Sequence, residues 1–400
     1  MRGVHVLVAP DAFGSSLTAA QAAAVVAQAW RETVPSDEVE VCPLADGGPG
    51  FVETLHGVLG GDLVPVTVSS PDGQEVPAAV LVTEGAAGGR TAYVESAHAA
   101  GTALVPAERR DPVSASSRGV GQLLAAALST GARRVVVGLG GTVTNDAGAG
   151  MLAALAEALD VGLGAAALSS GGGALGRVTA DDLAGLRTLR ARLAGVDLVG
   201  AADVDIPLLG LQGASAASVE QRGATQAQAQ ELEQVLGRFA HAAATALGDA
   251  VRPDLLAASH QPAAARLAGL PGAGAGGGLG YGLALVGGRL LPGARLVADA
   301  VGLDDRLADA DVVLTGEGRF DVHSLHGKAA AEVASRALAH GVPTVVLAGE
   351  VLVGRRELLA AGISAAYAVA ESPTEVEAAL AAPAQSLAAR ARRVARTWSR

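Results

Sequence analysis

The chain has 400 residues, half of them apolar, with 54 glycines, 17 prolines and only 2% aromatics. Neither glycine nor proline follows the collagen period, and apolar stretches recur between the glycines. Collagen-like and disordered chains are therefore excluded, and two or three domains with sizeable cores are expected. Its 29 basic against 40 acidic residues, net −11, argue against nucleic acid or an anionic membrane as partner. A single cysteine, Cys42, excludes an internal disulfide and a cysteine-based structural zinc site.

Short β-rich runs alternate with Ala/Leu-rich helical stretches, the pattern of an α/β protein with a mainly parallel sheet. The first strand is predicted over 4–9; it is too short for a signal-peptide core and Pro10-Asp11 interrupts it, so a cytoplasmic location is expected. A helix follows over 19–31, where Thr18-Ala19-Ala20-Gln21 fits a capping box. After a strand at 39–43, the Val- and Pro-rich segment 62–84 with its Pro71-Asp72-Gly73 turn reads as an antiparallel hairpin, the point where a second domain begins. Strands at 92–95, 134–139 and 196–202 are interleaved with helices at 123–130 and 151–159. The Gly- and Ser-rich stretch 159–190 has weak periodicity and is expected to wander over the surface; a helix is expected at 226–247. The uncharged stretch 267–288 has the length to span a bilayer, but Pro271 and its dense glycines make it a soluble Gly-rich loop. Strands at 312–315, 344–348 and 365–369 and helices at 328–340, 356–361 and 374–396 complete the chain. The basic end of the last helix suits a helix C-terminus.

Two residue types are nearly absent. Of the 29 basic residues 28 are arginine and one is lysine, Lys328, and there is one asparagine, Asn145. Such survivors in a background that disfavours them are candidates for positions that need them.

Catalytic loops of open α/β sheets lie beyond the carboxyl ends of the strands. Here those loops carry Asp11 with Ser15 and Ser16; Asp46 with Gly47 and Gly48; Gly140, Gly141, Asn145 and Asp146; Asp203 and Asp205; and Glu317, Arg319 and Asp321. A single carboxylate after a strand is ordinarily a cap or turn residue. Recurrence after five strands, four with glycine nearby, points to shared chemistry. Glycines let backbone N–H groups approach phosphate oxygens. Carboxylates hold Mg²⁺, which bridges nucleotide phosphates, and one more can take the proton from an attacking hydroxyl. That set suits phosphoryl transfer. Gly327-Lys328 is followed by Ala329, so there is no Walker A loop, and no protein-kinase catalytic loop is present. The run at 271–280 mimics a dinucleotide fingerprint but follows no clear strand. The scattered histidines lack metal-ligand spacing; His323 and His326 read as solvated or capping residues, and Ser15 and Ser16 as helix-entry residues.

These motifs resemble the type I glycerate kinases. The family's Ala-Pro-Asp-x-Phe-Lys-Gly-Ser-Leu is similar to 9–17, its Ala-Asp-Gly-Gly-Glu-Gly-Thr to 45–51, and its Gly-Leu-Gly-Gly-x-x-Thr-Asn-Asp-x-Gly to 138–148. Its Asp-Val-x-Asn-Pro-Leu, Gly-Pro-x-Gly-Ala-Ser and Gln-Lys-Gly-Ala resemble 203–208, 210–215 and 221–224. Pro-Gly-Ala-Gly-Ala-Ala-Gly-Gly resembles 271–278, and Thr-Gly-Glu-Gly-x-x-Asp-x-Gln-Thr-x-x-Gly-Lys resembles 315–328. The motifs keep family order over about 4–370. Departures are Gly14 for the family lysine, Ser15 for a glycine, and Pro49 and Phe51 for the family Glu and Thr. Arg118 stands for Tyr, Gln122 for Glu, Ile206 for Asn, and His323-Ser324 for Gln-Thr.

The resemblance implies two α/β domains with a middle domain inserted into a discontinuous first one: 1–62 and 290–400 as a Rossmann-like domain, and 63–289 as the insertion, with the active cleft between them. It implies a reaction of ATP with D-glycerate giving 2-phosphoglycerate and ADP, with Mg²⁺. Asp46 or Asp321 would be the base and Lys328 or Arg319 would meet anionic charge. Asp203 and Asp205 would serve Mg²⁺. Substrate and phosphates would be bound among Asp11, Ser16, Gly47, Gly48, Glu95, Gly140, Gly141, Asn145, Asp146, Gly274, Gly276, Gly277 and Glu317. Two other readings stay open: a kinase for another small hydroxy acid, and a non-catalytic ligand-binding homologue.

Overall fold

The computed structural model describes residues 3–85, 89–251, 262–325 and 327–399. The chain divides into two compact units: unit 1 comprises Met1–Asp46, Glu53–Gly60 and Gly293–Arg400, and unit 2 comprises Gly47–Val52 and Gly61–Pro292.

Unit 1 is built on a five-stranded sheet in the spatial order Ile363–Ala368, Thr344–Ala348, Val312–Thr315, His5–Val8, Glu38–Val41. All pairs are parallel, with His5 opposite Glu38 and Val6 opposite Val312. Strands buried on both faces read as continuous apolar runs, as Val-Val-Leu-Thr and Thr-Val-Val-Leu-Ala do here. Helix Ala19–Thr33 opens with the expected capping box: Gln21 N–H donates to Thr18 Oγ1 and Thr18 N–H to Gln21 Oε1. Its Trp30 is fully buried and donates Nε1–H to Asp37 at 2.9 Å. Leu387, Ala391 and Val394 of helix Pro383–Trp398 join the same core. The single helix expected at 374–396 is two, Pro373–Ala381 and Pro383–Trp398. The residue before a proline is pushed out of helical conformation, and Ala382 sits at φ −141°. The sheet reverses its winding beside His5–Val8: one connection leads outward to Glu38–Val41, while the later strands are added on the other side, beginning with Val312–Thr315. Loops leaving His5–Val8 and Val312–Thr315 thus diverge at the switch point, where such sheets bind ligands.

Unit 2 carries a six-stranded sheet in the order Asp62–Ser69, Glu75–Glu84, Arg90–Glu95, Arg134–Gly138, Asp197–Ala202, Arg289–Pro292. The first three strands form an antiparallel meander and the rest run parallel. Two expectations are corrected here. The stretch 159–190 does not wander over the surface. It makes short turns and helices, Ala165–Leu168, Gly172–Arg177 and Leu186–Arg192, and Leu168, Leu175, Leu183, Leu186 and Leu189 are fully buried. Elements this short complete too few turns to register a period. Nor is 267–288 all loop. Ala275–Leu285 is a helix with every residue buried, entered through Gly276, Gly277 and Gly278 at φ +62°, +68° and +92°. A helix buried all round has no polar stripe, so its sequence lacks the amphipathic signal. No helix among the described residues is long and apolar enough to cross a membrane.

Candidate active site

In unit 1 the loops beyond the strands gather six charged side chains, Asp11, Asp46, Glu317, Arg319, Asp321 and Lys328. Asp11 follows the first strand; its N–H donates to the Gly316 carbonyl at 2.8 Å, and its own Oδ1 accepts from Ala12 N–H at 2.7 Å. The close approach of the loop after Val312–Thr315 requires glycine: a Cβ on Gly316 would lie 1.8 Å from the Leu347 carbonyl oxygen. Asp46 is buried, and its Oδ2 is 3.2 Å from Lys328 Nζ. Burial pushes Asp11 well above the usual carboxylate range, and the charges of Asp46 and Glu317 push it further, against the Ala12 N–H and Lys328. Glu317 is pushed up to about 7, chiefly by burial, with Asp46 and Asp321 adding to it and a hydrogen bond from Ser324 and the charge of Lys328 opposing. Its Oε1 is buried without a hydrogen-bond partner. Asp321 accepts from His323 N–H at 2.8 Å, and exposed Arg319 lies 3.7 Å from its other oxygen. Ser16 closes the tight turn 13–17 with its N–H on the Phe13 carbonyl. His326 lies outside the described residues. Lys328 is therefore the cation that acts on Asp11, Asp46 and Glu317 together.

In unit 2 Gly47, Gly48, Gly140, Gly141 and Asp203 come together. Gly140 N–H donates to the Gly47 carbonyl at 3.0 Å. A Cβ on Gly140 would meet both Asp203 Oδ2 and Gly48 Cα at 2.7 Å, and one on Gly141 would meet Pro49 at 2.4 Å. Asp203 is half-buried and Asp205 exposed. Among the described residues no three His, Cys, Asp or Glu side chains form a metal cage. Mg²⁺ carried by a nucleotide needs only one or two carboxylates beside phosphates and water. The two aspartates, two residues apart on one loop, fit that donor set.

Other expected site residues hold the protein's own backbone. Glu95, 3% exposed, accepts from Gly50 N–H and Val52 N–H at 3.0 and 3.1 Å and lies 3.6 Å from His98 Nε2, so it fixes the loop 47–52. Asp146 is fully buried and accepts from Ser117 N–H and Oγ–H, both at 2.8 Å, and from Gly148 and Gly150 N–H. Burial raises its pKa against these four bonds. The glycine run is filled by backbone. A Cβ would lie 2.2 Å from the Pro207 oxygen at Gly274, 2.6 Å from that of Leu139 at Gly276, and 1.8 Å from that of Thr144 at Gly277. These glycines let the helix entry pack directly on the loop 139–147. Asn145 is fully buried, with Nδ2 3.3 Å from Ser215 Oγ.

One functional candidate escaped the sequence reading. Arg222 is the one buried guanidinium among the described residues, and it faces Asp203. It occupies the lysine position of the family's Gln-Lys-Gly-Ala motif, a signal available from the start but lost among 28 arginines.

The model of the glycerate kinase family matches residues 6–399. A glycerate kinase of Bacillus subtilis is 36% identical over 98% of this chain and 97% of its own. A glycerate 2-kinase of Escherichia coli is 35% identical over 92% and 91%. A crystal structure described as a glycerate kinase 2 of Salmonella typhimurium LT2 superposes with a TM-score of 0.74, at 34% identity and 98% coverage of both chains.

Proposed function

The chain belongs to the glycerate kinase family, and from that premise we propose that it transfers the γ-phosphoryl group of ATP to the 2-hydroxyl of D-glycerate, giving 2-phosphoglycerate and ADP. The observation that carries this reading is Lys328 held 3.2 Å from Asp46 among the carboxylates of the switch-point loops. The hydroxyl oxygen forms the new P–O bond, the bond to the β,γ-bridging oxygen breaks, and the hydroxyl proton passes to Asp46 or Asp321. Lys328 and Arg319 offset the negative charge of substrate and phosphate. Gly140 and Gly141 line the phosphates. Asp203 with Asp205 would hold Mg²⁺, which would supply neutralisation of phosphate charge.

One observation favours a second reading, a different small hydroxy acid as acceptor. Gly14 replaces the family lysine, and a Cβ there would meet nothing within 4 Å. Purified protein assayed for ADP release with glycerate, tartronate and related acids, with the product identified by phosphorus NMR, separates these cases. Selective turnover of glycerate to 2-phosphoglycerate is the expected result. Preference for another acid supports the second reading, and ATP binding without ADP release from any acid refutes both.

A further inference from the structure

Arg222 ends the helix Ala214–Arg222, yet its charge is not at that end. Its Nη1 donates to the Ala214 carbonyl at 3.3 Å and its Nε to the Thr142 carbonyl at 3.1 Å. Ala214 is eight residues back, about 12 Å along a helix. The side chain thus runs back over its own helix and delivers a guanidinium toward the N-terminal turns, where the helix dipole is already positive. A buried cation in such a place is unfavourable unless something negative meets it. Burial does lower this guanidinium, to about 10, and Asp203 is the group whose charge opposes the shift.

Two carbonyls occupy two of the five N–H donors of an arginine. Around the cation are further polar groups with unused capacity. Thr142 Oγ1 is buried with no partner. Asn145 is fully buried; its Nδ2 donates to Ser215 Oγ, and its Oδ1, an acceptor, has no partner. Ser215 is itself 1% exposed and lies in the first turn of the same helix. Burying polar groups in this state is costly, because each gives up its hydrogen bonds to water and gains none in return. A neutral side chain could serve two carbonyls as a brace; a guanidinium with spare donors and an unpartnered hydroxyl beside a helix N-terminus suit a negatively charged acceptor of several hydrogen bonds.

We propose that Arg222, with Thr142, binds an oxyanion: a phosphate of the nucleotide or the carboxylate of the hydroxy acid. The inference rests on the kinase reading above and adds the residue that recognises one of its two anionic ligands.

The test uses Arg222→Met and Arg222→Lys in the full chain, with melting temperature as the control for folding. Calorimetry measures binding of Mg·ADP and of D-glycerate separately, and steady-state kinetics give KM for ATP and for glycerate. Arg222→Met is expected to weaken one ligand at least tenfold, with Arg222→Lys recovering part of the loss. A loss confined to ADP and to KM for ATP identifies a phosphate, and one confined to glycerate identifies its carboxylate. Unchanged affinity for both ligands, in a variant that has only lost thermal stability, overturns the proposal and leaves Arg222 as a brace. If Arg222→Met does not fold, Arg222→Lys decides: it keeps the charge but lacks the fork, and at least threefold weaker binding of one ligand is expected, whereas wild-type affinity overturns the proposal. Wild-type protein that binds neither ligand removes the kinase reading and this inference together.

Discussion

Lys328 and Asp46, 282 residues apart in sequence, meet at 3.2 Å between Nζ and Oδ2. Lys328 stands at the N-cap of helix Ala329–His340 but makes no side-chain cap bond there; its ammonium points to the carboxylate. The Asp46 side chain is 12% exposed and that of Lys328 33%. A compact ammonium with three rotatable donors fits between buried carboxylates where a planar fork needs more room. That explains why a chain that uses arginine at every other basic position keeps lysine here.

Lys328→Arg is therefore expected to lower kcat at least tenfold while shifting the melting temperature by only a few degrees. Steady-state ADP release and calorimetry on the same preparation check this. Wild-type turnover in the variant would make Lys328 a bystander.

Glu317 gives stability a defined pH dependence. Its ordinary value is 4.5 and the fold raises it to about 7. Between these values the native state binds the proton and the unfolded chain does not, so this contribution is complete below about 4.5 and is lost as pH rises through about 7. The raised Asp11 acts in the same direction. Glu317→Gln removes the titration. The variant should melt higher than wild type at pH 8 and no higher at pH 5. Equal differences at both values would contradict the raised proton affinity.

Local rules with a fixed spacing were readable from the sequence. Thr18 and Gln21 stand three apart and form the capping box. Pro71-Asp72-Gly73 turns the hairpin, where Ser70 N–H meets the Gln74 carbonyl at 2.7 Å. Asp11, Asp46, Glu317 and Lys328 were nameable because each follows or caps an element. What remained hidden depends on tertiary burial. The helix Ala275–Leu285 looks like a glycine loop because backbone, not side chains, fills the space around Gly276 and Gly277. Arg289–Pro292 is too short and too polar at its start to read as a strand, and pairing with Asp197–Ala202 decides it. Arg222 has an ordinary helical address; only its course back to Ala214 makes it unusual.

The same glycines allow a stability test. Gly277→Ala places a methyl 1.8 Å from the Thr144 oxygen at φ +68°, so the backbone must move. A loss of more than about 4 kcal/mol, or failure to fold, is expected. Gly57→Ala, in helix Phe51–Leu59 with nothing within 4 Å of the new methyl, should instead stabilise by about 0.5–1 kcal/mol. Denaturant melts of both variants measure the contrast, and similar effects would remove the packing explanation.

Asp146 separates holding a loop from binding a ligand. Its two oxygens accept four hydrogen bonds from Ser117, Gly148 and Gly150, and it is fully buried. An asparagine keeps one acceptor oxygen and replaces the other with a donor that would face the donors of Ser117 or Gly148. Conflicts of this kind cost about 1–3 kcal/mol, more where a charged acceptor is lost. Asp146→Asn is therefore expected to lower the unfolding free energy by about 2–3 kcal/mol, with KM for ATP and glycerate changing less than threefold in the fraction that remains folded. Denaturant melts and initial-rate kinetics well below the melting temperature supply the two readouts. A KM that rises tenfold or more at unchanged stability would instead place the Asp146 carboxylate on a ligand.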